Sequence, residues 1–471
     1  MPISKNIVRI MIMVNFNCDN EMINRAARIA LGDIRSNYIP FQDGLLKEKK
    51  ICVMAGIDYD TPWTRDTAIN TVNAVAILNP EVAKNTMLSV LEEVDGLIRV
   101  GGQYWDKVLW IIAADRYCDI TGDADFRTFA LEVSEHTLSQ MENEEFDEED
   151  GLFRGPAVYG DGISAYPDRY TNTEKGFSGI LEWPAENPDT RAKTGYGIPM
   201  KALSTNLAYY EAYLASAALA EKTKSEQKKA QSWKEKASAL KERINEHFWN
   251  EETGRYDYLF DQVGHCDYAE AIGLSFAILF GVADDKKTRQ IIENTYISSE
   301  GIPVVWPSFS RYQKEETLPD GSIRKNYGRH SGTIWPHAQG FWALAMRKAG
   351  NGKGFDTEFM AMAERAVRDM QFAEIYHPDT GEIYGGLQEL WNEIRLWDSC
   401  SKQTWSATAF WAMIFYGIAG INYSEGEITV DPYLPEGINE AVITGLPVGD
   451  CTVSIQITRD ESGACKAQVK E

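Results

Sequence analysis

Apolar residues recur along most of the chain at the spacing of an α-helix, with polar positions between them. Between residues 230 and 248 the apolar positions follow steps of three or four, which places them on one helix face. They are Ala230, Trp233, Ala237, Leu240, Ile244 and Phe248. Residues 355–370 repeat the pattern, and similar segments begin near residues 19, 66, 80, 105, 123, 201, 268, 284, 334 and 402. About twelve helices, joined by alternating short and long links, predict a series of helical hairpins.

Three long stretches interrupt this pattern, at residues 144–200, 298–330 and 376–401. Loops of this length inside a compact helical domain usually carry function. After residue 420 the pattern changes, because segments such as "CTVSIQITRD" (451–460) alternate apolar and polar residues as strands do. We therefore predict a mainly α protein, with a helical domain over residues 1–423 and a small β-rich appendage over residues 424–471.

Charge and composition narrow the choice of partners. The chain has 471 residues with 47 basic and 70 acidic side chains, giving a formal charge of −23. This balance argues against nucleic acid or an anionic membrane as a partner. The seven scattered cysteines show no metal-binding or disulfide pattern, and we expect free thiols. No apolar run reaches the roughly 18 residues that span a bilayer. The apolar segment at residues 6–16 lacks a cleavage site, which predicts a cytoplasmic protein, or a periplasmic or secreted one if a signal segment has been removed.

The sequence lacks the motifs of several kinds of catalytic site. The six histidines have no metal-ligand spacing, and neither a nucleophile elbow nor a phosphate-binding glycine loop is present, so we expect no metal and no cofactor. Carboxylates amid aromatic residues remain, and a pair of them is what glycosidic bond cleavage requires. One long loop offers Asp161 and Asp168, and another offers Glu389, Glu393 and Asp398. Periodicity alone does not choose among these.

Five segments of the chain together resemble those of the six-hairpin glycosidases. "PWTRDTAIN" (62–70) and "QTWSATAF" (403–410), with Glu389 sixteen residues before Trp405, resemble glucoamylases and related inverting enzymes. The segment "YGRHSGTIWPHAQGFWALA" (327–345) looks like a helix start shared by glycogen-debranching α-glucosidases, α-L-rhamnosidases and the mannosylglycerate hydrolase and processing-glucosidase group. Residues 104–123 and 202–220 are similar to hairpin helices of that superfamily. The resemblance covers about residues 20–420 and implies an (α/α)6 barrel.

The resemblance also implies a set of site residues. Asp161 is expected to be the general acid, with Asp168 or Glu182 as alternatives. Glu389 is expected to be the general base. Glu393, four residues further on, has a structural role as its alternative interpretation, in a salt bridge with Arg395. Side chains expected to bind the sugar substrate are Trp63, Arg65, Asp66, Trp105, Asp106, His330, Trp335, Trp391 and Trp405. A general acid must hold its proton near neutral pH, so we expect the tyrosine-rich loop around Asp161 to raise the pKa of its carboxyl.

The reaction implied is the inverting, exo-acting hydrolysis of an α-linked sugar. Inversion needs room for a water molecule, so the two carboxyl groups are expected to stand about 6.5–9.5 Å apart. The substrate is a glycoside or oligosaccharide, with an α-glucoside or α-mannoside as the first choice. The alternatives are α-L-rhamnoside hydrolysis, glycoside phosphorolysis, sugar epimerisation by a histidine pair from His265, His330 and His337, and carbohydrate binding without catalysis.

Overall fold

Twelve helices of two turns or more alternate between two layers in the described part of the chain. The computed structural model describes residues 13–171, 178–189, 192–223, 226–391, 393–449 and 451–470. The helices are α1 (Glu21–Ser36), α2 (Thr64–Asn70, continued by Thr71–Val75 and Ala76–Leu78), α3 (Pro80–Ser89), α4 (Lys107–Thr121), α5 (Ala124–Glu145), α6 (Leu203–Glu221), α7 (Gln227–Phe248), α8 (Ala271–Leu279), α9 (Asp285–Asn294), α10 (Pro336–Lys348), α11 (Gly352–Asp369) and α12 (Thr404–Ala412, continued by Met413–Ile418).

Six of these helices close an inner ring. Helices α2, α4, α6, α8, α10 and α12 each pack against the next, and α12 packs back against α2. A helix of the inner ring is buried on most of its sides. In the first segment of α12, for example, all nine residues of Thr404–Ala412 are buried. The outer helices bury a single face: in α7 the buried residues are the six that the periodicity predicts. The fold is the predicted mainly α barrel of helical hairpins.

Short hairpins and a larger sheet decorate the barrel. The paired strands are Tyr38–Phe41 with Lys50–Val53, Leu91–Val94 with Leu97–Val100, Phe146–Asp147 with Leu152–Phe153, Trp249–Asn250 with Arg255–Tyr256, Leu259–Phe260 with both Lys201–Ala202 and His265–Cys266, Ala269–Glu270 with Val305–Trp306, Glu315–Thr317 with Ile323–Lys325, Leu387–Leu390 with Glu393–Leu396, and Asn422–Ser424 with Glu427–Thr429. All of these pairs are antiparallel.

The C-terminal sheet draws one strand from the other end of the chain. Its four antiparallel strands run in the order Asn15–Cys18, Glu440–Val448, Cys451–Arg459 and Cys465–Lys470. Residues such as Phe16, Ile443 and Ile455 belong to the same buried apolar cluster as the barrel. The sheet therefore packs on the barrel without a separate core. The division at residues 423 and 424 stays a prediction, and residues 1–12 of the first unit lie outside the described residues.

The inner helices all enter the ring at the same end. Because inner and outer helices alternate along the chain, the inner helices run parallel and their N-termini share one mouth of the barrel. The long loops before α2, α6, α10 and α12 lead into this mouth. Across the described residues, no helix combines the length and apolar character needed to cross a membrane.

A close approach of two inner helices depends on a glycine. A Cβ atom added at Gly340 of α10 would lie 2.8 Å from the Cβ of Ala409 in α12. We expect Gly340→Ala to push the helices apart and to lower the free energy of unfolding by about 1–3 kcal/mol. Gly32→Ala is the matched control, since Gly32 is exposed on α1 with nothing within 4 Å of an added Cβ, and it should stabilise the protein by about 0.5–1 kcal/mol. Equal unfolding midpoints for the two variants would contradict this packing.

Candidate active site

A cavity of about 300 Å³ opens at the barrel mouth, at the N-terminal ends of the inner helices. Its walls come from the start of α2 (Trp63, Arg65 and Asp66), the turn before α10 (His330 and Trp335) and the start of α12 (Trp405). The volume lies at the lower end of the range for small-molecule sites. Four carboxylates line the cavity, namely Asp66, Asp161, Glu182 and Glu374.

Asp161 projects from its loop between two basic groups. Its Oδ2 accepts a hydrogen bond of 3.1 Å from Arg65 Nη2, and its Oδ1 lies 3.4 Å from His330 Nε2. Burial raises the pKa of Asp161, but the Arg65 charge and the His330 contact outweigh it and hold this pKa well below its usual range. The expected raised pKa is therefore wrong for the free protein. The cause is Arg65, which stands 96 residues earlier in the chain.

Arg65 ties the Asp161 loop to the barrel. In addition to its hydrogen bond with Asp161, the Arg65 guanidinium donates a hydrogen bond of 3.2 Å to the Val158 carbonyl. Arg65 Nη1 also lies 3.7 Å from Asp106 Oδ1. Trp105 donates to the same Val158 carbonyl at 3.3 Å. Trp105 and Asp106 are fully buried and do not line the cavity, so they support the loop from behind and are not placed to contact a sugar.

Asp66 and Asp106 hold their protons more readily than ordinary aspartates. Burial raises the pKa of Asp66 to about 7, against the opposing charge of Arg65. Burial likewise raises the pKa of Asp106 to about 8. Asp66 lines the cavity and Asp106 does not. A neutral Asp66 can both donate and accept a hydrogen bond, which suits a sugar hydroxyl.

The structure does not place Glu389 in the cavity. Its side chain is fully buried, its carboxylate accepts from Arg311 Nε at 3.0 Å and from the Tyr312 hydroxyl, and Gln388 beside it faces the cavity instead. The two side chains diverge because residues 387–390 form a strand, in which successive side chains point to opposite faces. We therefore withdraw Glu389 as the general base.

Glu389 has a structural task behind the Asp161 loop. It fixes Arg311, and Arg311 Nη2 donates to the backbone carbonyls of Ile163 (3.2 Å) and Tyr166 (2.8 Å). Arg311 Nη1 also donates to Asp168 at 2.6 Å. Asp168, which is 66% exposed and does not line the cavity, is a less suitable acid than Asp161.

Glu374 is the carboxylate that sequence reasoning missed. Its Oε2 accepts from Arg329 Nη2 at 2.6 Å and from the Cys400 backbone N–H at 3.3 Å, and its Oε1 accepts from the Tyr59 hydroxyl at 3.4 Å. The side chain is only 4% exposed but lines the cavity. A signal was present, because Glu374 is the single charged residue in the apolar run "FAEIY" (372–376). A carboxylate buried in such a run requires partners or a function.

The aromatic residues divide into two groups. Trp63, Trp335 and Trp405 line the cavity as predicted, and Trp397 joins them. Trp391, at the tip of the hairpin formed by residues 387–396, is 68% exposed and does not line the cavity.

Of two further alternatives, Glu182 remains a candidate acid by its position and Glu393 does not remain a candidate base. Glu182 lines the cavity, on the loop that also carries Asp161. Glu393 forms the predicted salt bridge with Arg395, at 2.9 Å, and both side chains are largely exposed. Glu393 therefore has the structural role, a salt bridge with Arg395, that the sequence analysis gave as the alternative to a role as the base.

A second, larger cavity lies at the other end of the ring. It has a volume of about 720 Å³, and its walls include Leu279, Lys348 and Tyr416, at or near the C-terminal ends of α8, α10 and α12. Its walls are mainly apolar, and the tryptophans and clustered carboxylates are at the mouth instead. The smaller cavity is therefore the candidate active site.

A ring of six helical hairpins, with carboxylates and tryptophans clustered at one mouth, defines the class of the six-hairpin glycosidases. The family model of the mannosylglycerate hydrolase MGH1-like glycoside hydrolase domain matches residues 107–406. The chain belongs to that family.

Solved structures support the same fold. The chain is similar to a sialidase (TM-score 0.69, 13% identity, covering 97% of this chain and 40% of that one) and to a GH78 family rhamnosidase from Bacillus sp. GL1 (TM-score 0.60, 16% identity, 97% and 41%). It also resembles the GH63 mannosylglycerate hydrolase from Thermus thermophilus (TM-score 0.54, 14% identity, 83% and 100%). The chain thus spans about 40% of the length of the first two. No curated protein sequence matches it.

The Glu389–Arg311 contact predicts a change in loop dynamics. We expect Glu389→Gln to weaken the Arg311 hydrogen bonds to the Asp161 loop and to speed backbone hydrogen exchange in residues 157–170, because a buried ion pair loses one charge. Hydrogen exchange followed by mass spectrometry measures this. Glu393→Gln, which breaks an exposed salt bridge in the same hairpin, is the control and should leave exchange in the loop unchanged. Unaltered exchange in Glu389→Gln would contradict the structural role.

Proposed function

We propose that this protein hydrolyses a terminal α-glycosidic bond with inversion, with Asp161 as the general acid and Glu374 as the general base. The observation that carries the proposal is that both carboxylates line one small cavity and that each is fixed by its own arginine, Arg65 for Asp161 and Arg329 for Glu374. Family membership supports the reaction class, and a pair of carboxylates is the usual machinery for cleaving a glycosidic bond.

The chemistry needs one proton donor and one acceptor. Asp161, whose pKa is low in the free protein, must first take up a proton; it then gives this proton to the glycosidic oxygen as the bond from C1 to that oxygen breaks. Water adds to the opposite face of C1 and loses a proton to Glu374. The sugar leaves with a new hydroxyl, Glu374 returns its proton to solvent and Asp161 takes one up, so that one water is consumed in each turnover.

The remaining residues of the cavity are proposed to hold the sugar. Asp66 and Arg65 bind hydroxyl groups, while Trp63, Trp335 and Trp405 provide apolar walls. A cavity of about 300 Å³ has room for few sugar rings, which favours exo action on a terminal residue. Trp105 and Asp106 act through Arg65 and the loop, as their burial indicates.

An α-mannoside is the first choice of substrate, followed by an α-glucoside. The matched family takes its name from a mannosylglycerate hydrolase, which supports the mannoside. An α-L-rhamnoside is the third candidate, supported by the similarity to the GH78 family rhamnosidase across 97% of this chain.

Two other reactions receive less support from the site. An epimerase would need a pair of histidines in the cavity, but of the six histidines, all of them described, His330 alone lines it, and His337 is fully buried and stacked on Trp405 at 4.1 Å between ring centroids. A phosphorylase would need cationic side chains for phosphate, and both arginines of the cavity are engaged by carboxylates.

Hydrolysis of a panel of aryl α-mannosides, α-glucosides and α-L-rhamnosides tests the reaction and the base. We expect one sugar to be released, with its configuration at C1 inverted in the first product seen by proton NMR. Glu374→Gln should lower kcat by about 10²–10⁴-fold, because the base is lost. Glu393→Gln, on the exposed hairpin, should leave kcat unchanged. Retention of configuration, or full activity in Glu374→Gln, would refute the assignment.

The leaving group tests the acid. A 2,4-dinitrophenyl glycoside departs with little protonation, whereas a methyl glycoside needs a proton on its oxygen. We therefore expect Asp161→Asn to lower kcat/KM by about 10²–10⁴-fold for the methyl glycoside and far less for the dinitrophenyl glycoside. Glu374→Gln should slow both substrates alike. The opposite pattern in the two variants would exchange the roles of Asp161 and Glu374.

A further inference from the structure

His330 lies in a chain of buried polar groups that ends at Asp161. Its ring is 4% exposed and stacks on Trp335, with 4.9 Å between ring centroids. On one side, Nε2 faces Asp161 Oδ1 at 3.4 Å. On the other, Nδ1 lies 2.9 Å from Ser164 Oγ, and the Ser164 hydroxyl lies 3.0 Å from Gln388 Oε1. The chain therefore runs from Gln388 through Ser164 and His330 to the proposed acid.

The hydroxyl of Ser164 has one hydrogen and two acceptors within reach. The backbone N–H of His330 already donates to Ser164 Oγ at 3.2 Å, so the hydroxyl hydrogen must go either to Gln388 Oε1 or to His330 Nδ1. Each choice fixes a different tautomer of the neutral imidazole.

The two arrangements match the two protonation states of Asp161. If Ser164 donates to Gln388, then His330 Nδ1–H donates to Ser164, and Nε2 keeps a lone pair that accepts the proton of a neutral Asp161. If Ser164 donates to Nδ1, then Nε2–H donates to the Asp161 carboxylate. Burial lowers the pKa of His330, which keeps the imidazole neutral, as both arrangements require.

We propose that Gln388, Ser164 and His330 form a positioning relay whose hydroxyl orientation lets the His330 ring hydrogen-bond to both the protonated and the ionised forms of Asp161. The inference rests on the proposed function, because it assigns the relay to the general acid. The relay would give Asp161 a hydrogen-bond partner on His330 both before and after it transfers its proton to the leaving group. The protons are exchanged with solvent through the open cavity between turnovers.

The backbone beside Asp161 is shaped for this relay. A Cβ atom added at Gly162 would lie 2.2 Å from Gln388 Oε1 and 2.4 Å from His330 Cε1. Only glycine lets the amide and the imidazole approach the acid this closely. The relay residues come from three separate parts of the chain, namely the Asp161 loop, the turn before α10 and the strand Leu387–Leu390.

Two variants break the relay without touching Asp161. Ser164→Ala removes the hydroxyl, and Gln388→Met removes one acceptor, so that the Ser164 hydroxyl stays on Nδ1 and Nε2–H always faces Asp161. Each should lower kcat/KM for the methyl glycoside by about 10–100-fold and should have a much smaller effect on the dinitrophenyl glycoside, since only the first substrate needs the acid. A purely structural defect would slow both substrates alike.

Ser308→Ala is the matched control, because Ser308 is equally buried and its hydroxyl bonds to Gly328 N–H and Ser331 rather than to the relay. It should leave the ratio of the two rates unchanged. If Asp161→Asn shows the leaving-group effect and neither relay variant does, the relay is refuted and the proposed function stands. If Asp161→Asn itself shows no such effect, the acid assignment fails and the relay fails with it.

Discussion

The ion pair between Arg65 and Asp161 is the interaction on which the site depends. Arg65 belongs to an inner helix of the ring, and Asp161 belongs to a long loop with little regular structure. The loop is held at the mouth by this pair, by the two hydrogen bonds to the Val158 carbonyl and by Arg311 on its far side. Rigid helices thus position a carboxylate that its own loop could not hold in place.

The same pair sets the electrostatic character of the cavity. The buried Arg65 lies beside Asp66 and Asp106, which are buried, and Asp161, which is 41% exposed. A single positive charge cannot keep all three carboxyls ionised when two of them are removed from water. Asp161, with the shortest contact, is kept ionised, whereas burial raises the pKa of the other two. Two carboxyls of different protonation state, Asp66 and Asp161, therefore share one small cavity.

The sequence predicts the fold and the tryptophans of the cavity better than it predicts the proposed pair of catalytic carboxylates. Helical faces such as that of α7 depend on local periodicity, and the motif around Arg65 lies at a helix start, so both are readable from short segments. Glu389 was misplaced because its orientation depends on strand alternation in a hairpin, where a shift of one residue exchanges the cavity face for the buried face. The pKa of Asp161 depends on contacts across 96 and 169 positions, with Arg65 and His330, which periodicity does not reveal.

We propose that Asp161 and Glu374 act on a sugar bound at the mouth of the barrel, and a crystal structure of Glu374→Gln with an uncleaved glycoside would test this. We expect the terminal sugar among Trp63, Trp335 and Trp405, with the glycosidic oxygen within hydrogen-bond distance of Asp161 and a water molecule between C1 and residue 374. A glycoside bound in the cavity at the opposite end, or one whose glycosidic oxygen lies beyond the reach of Asp161, would refute both assignments.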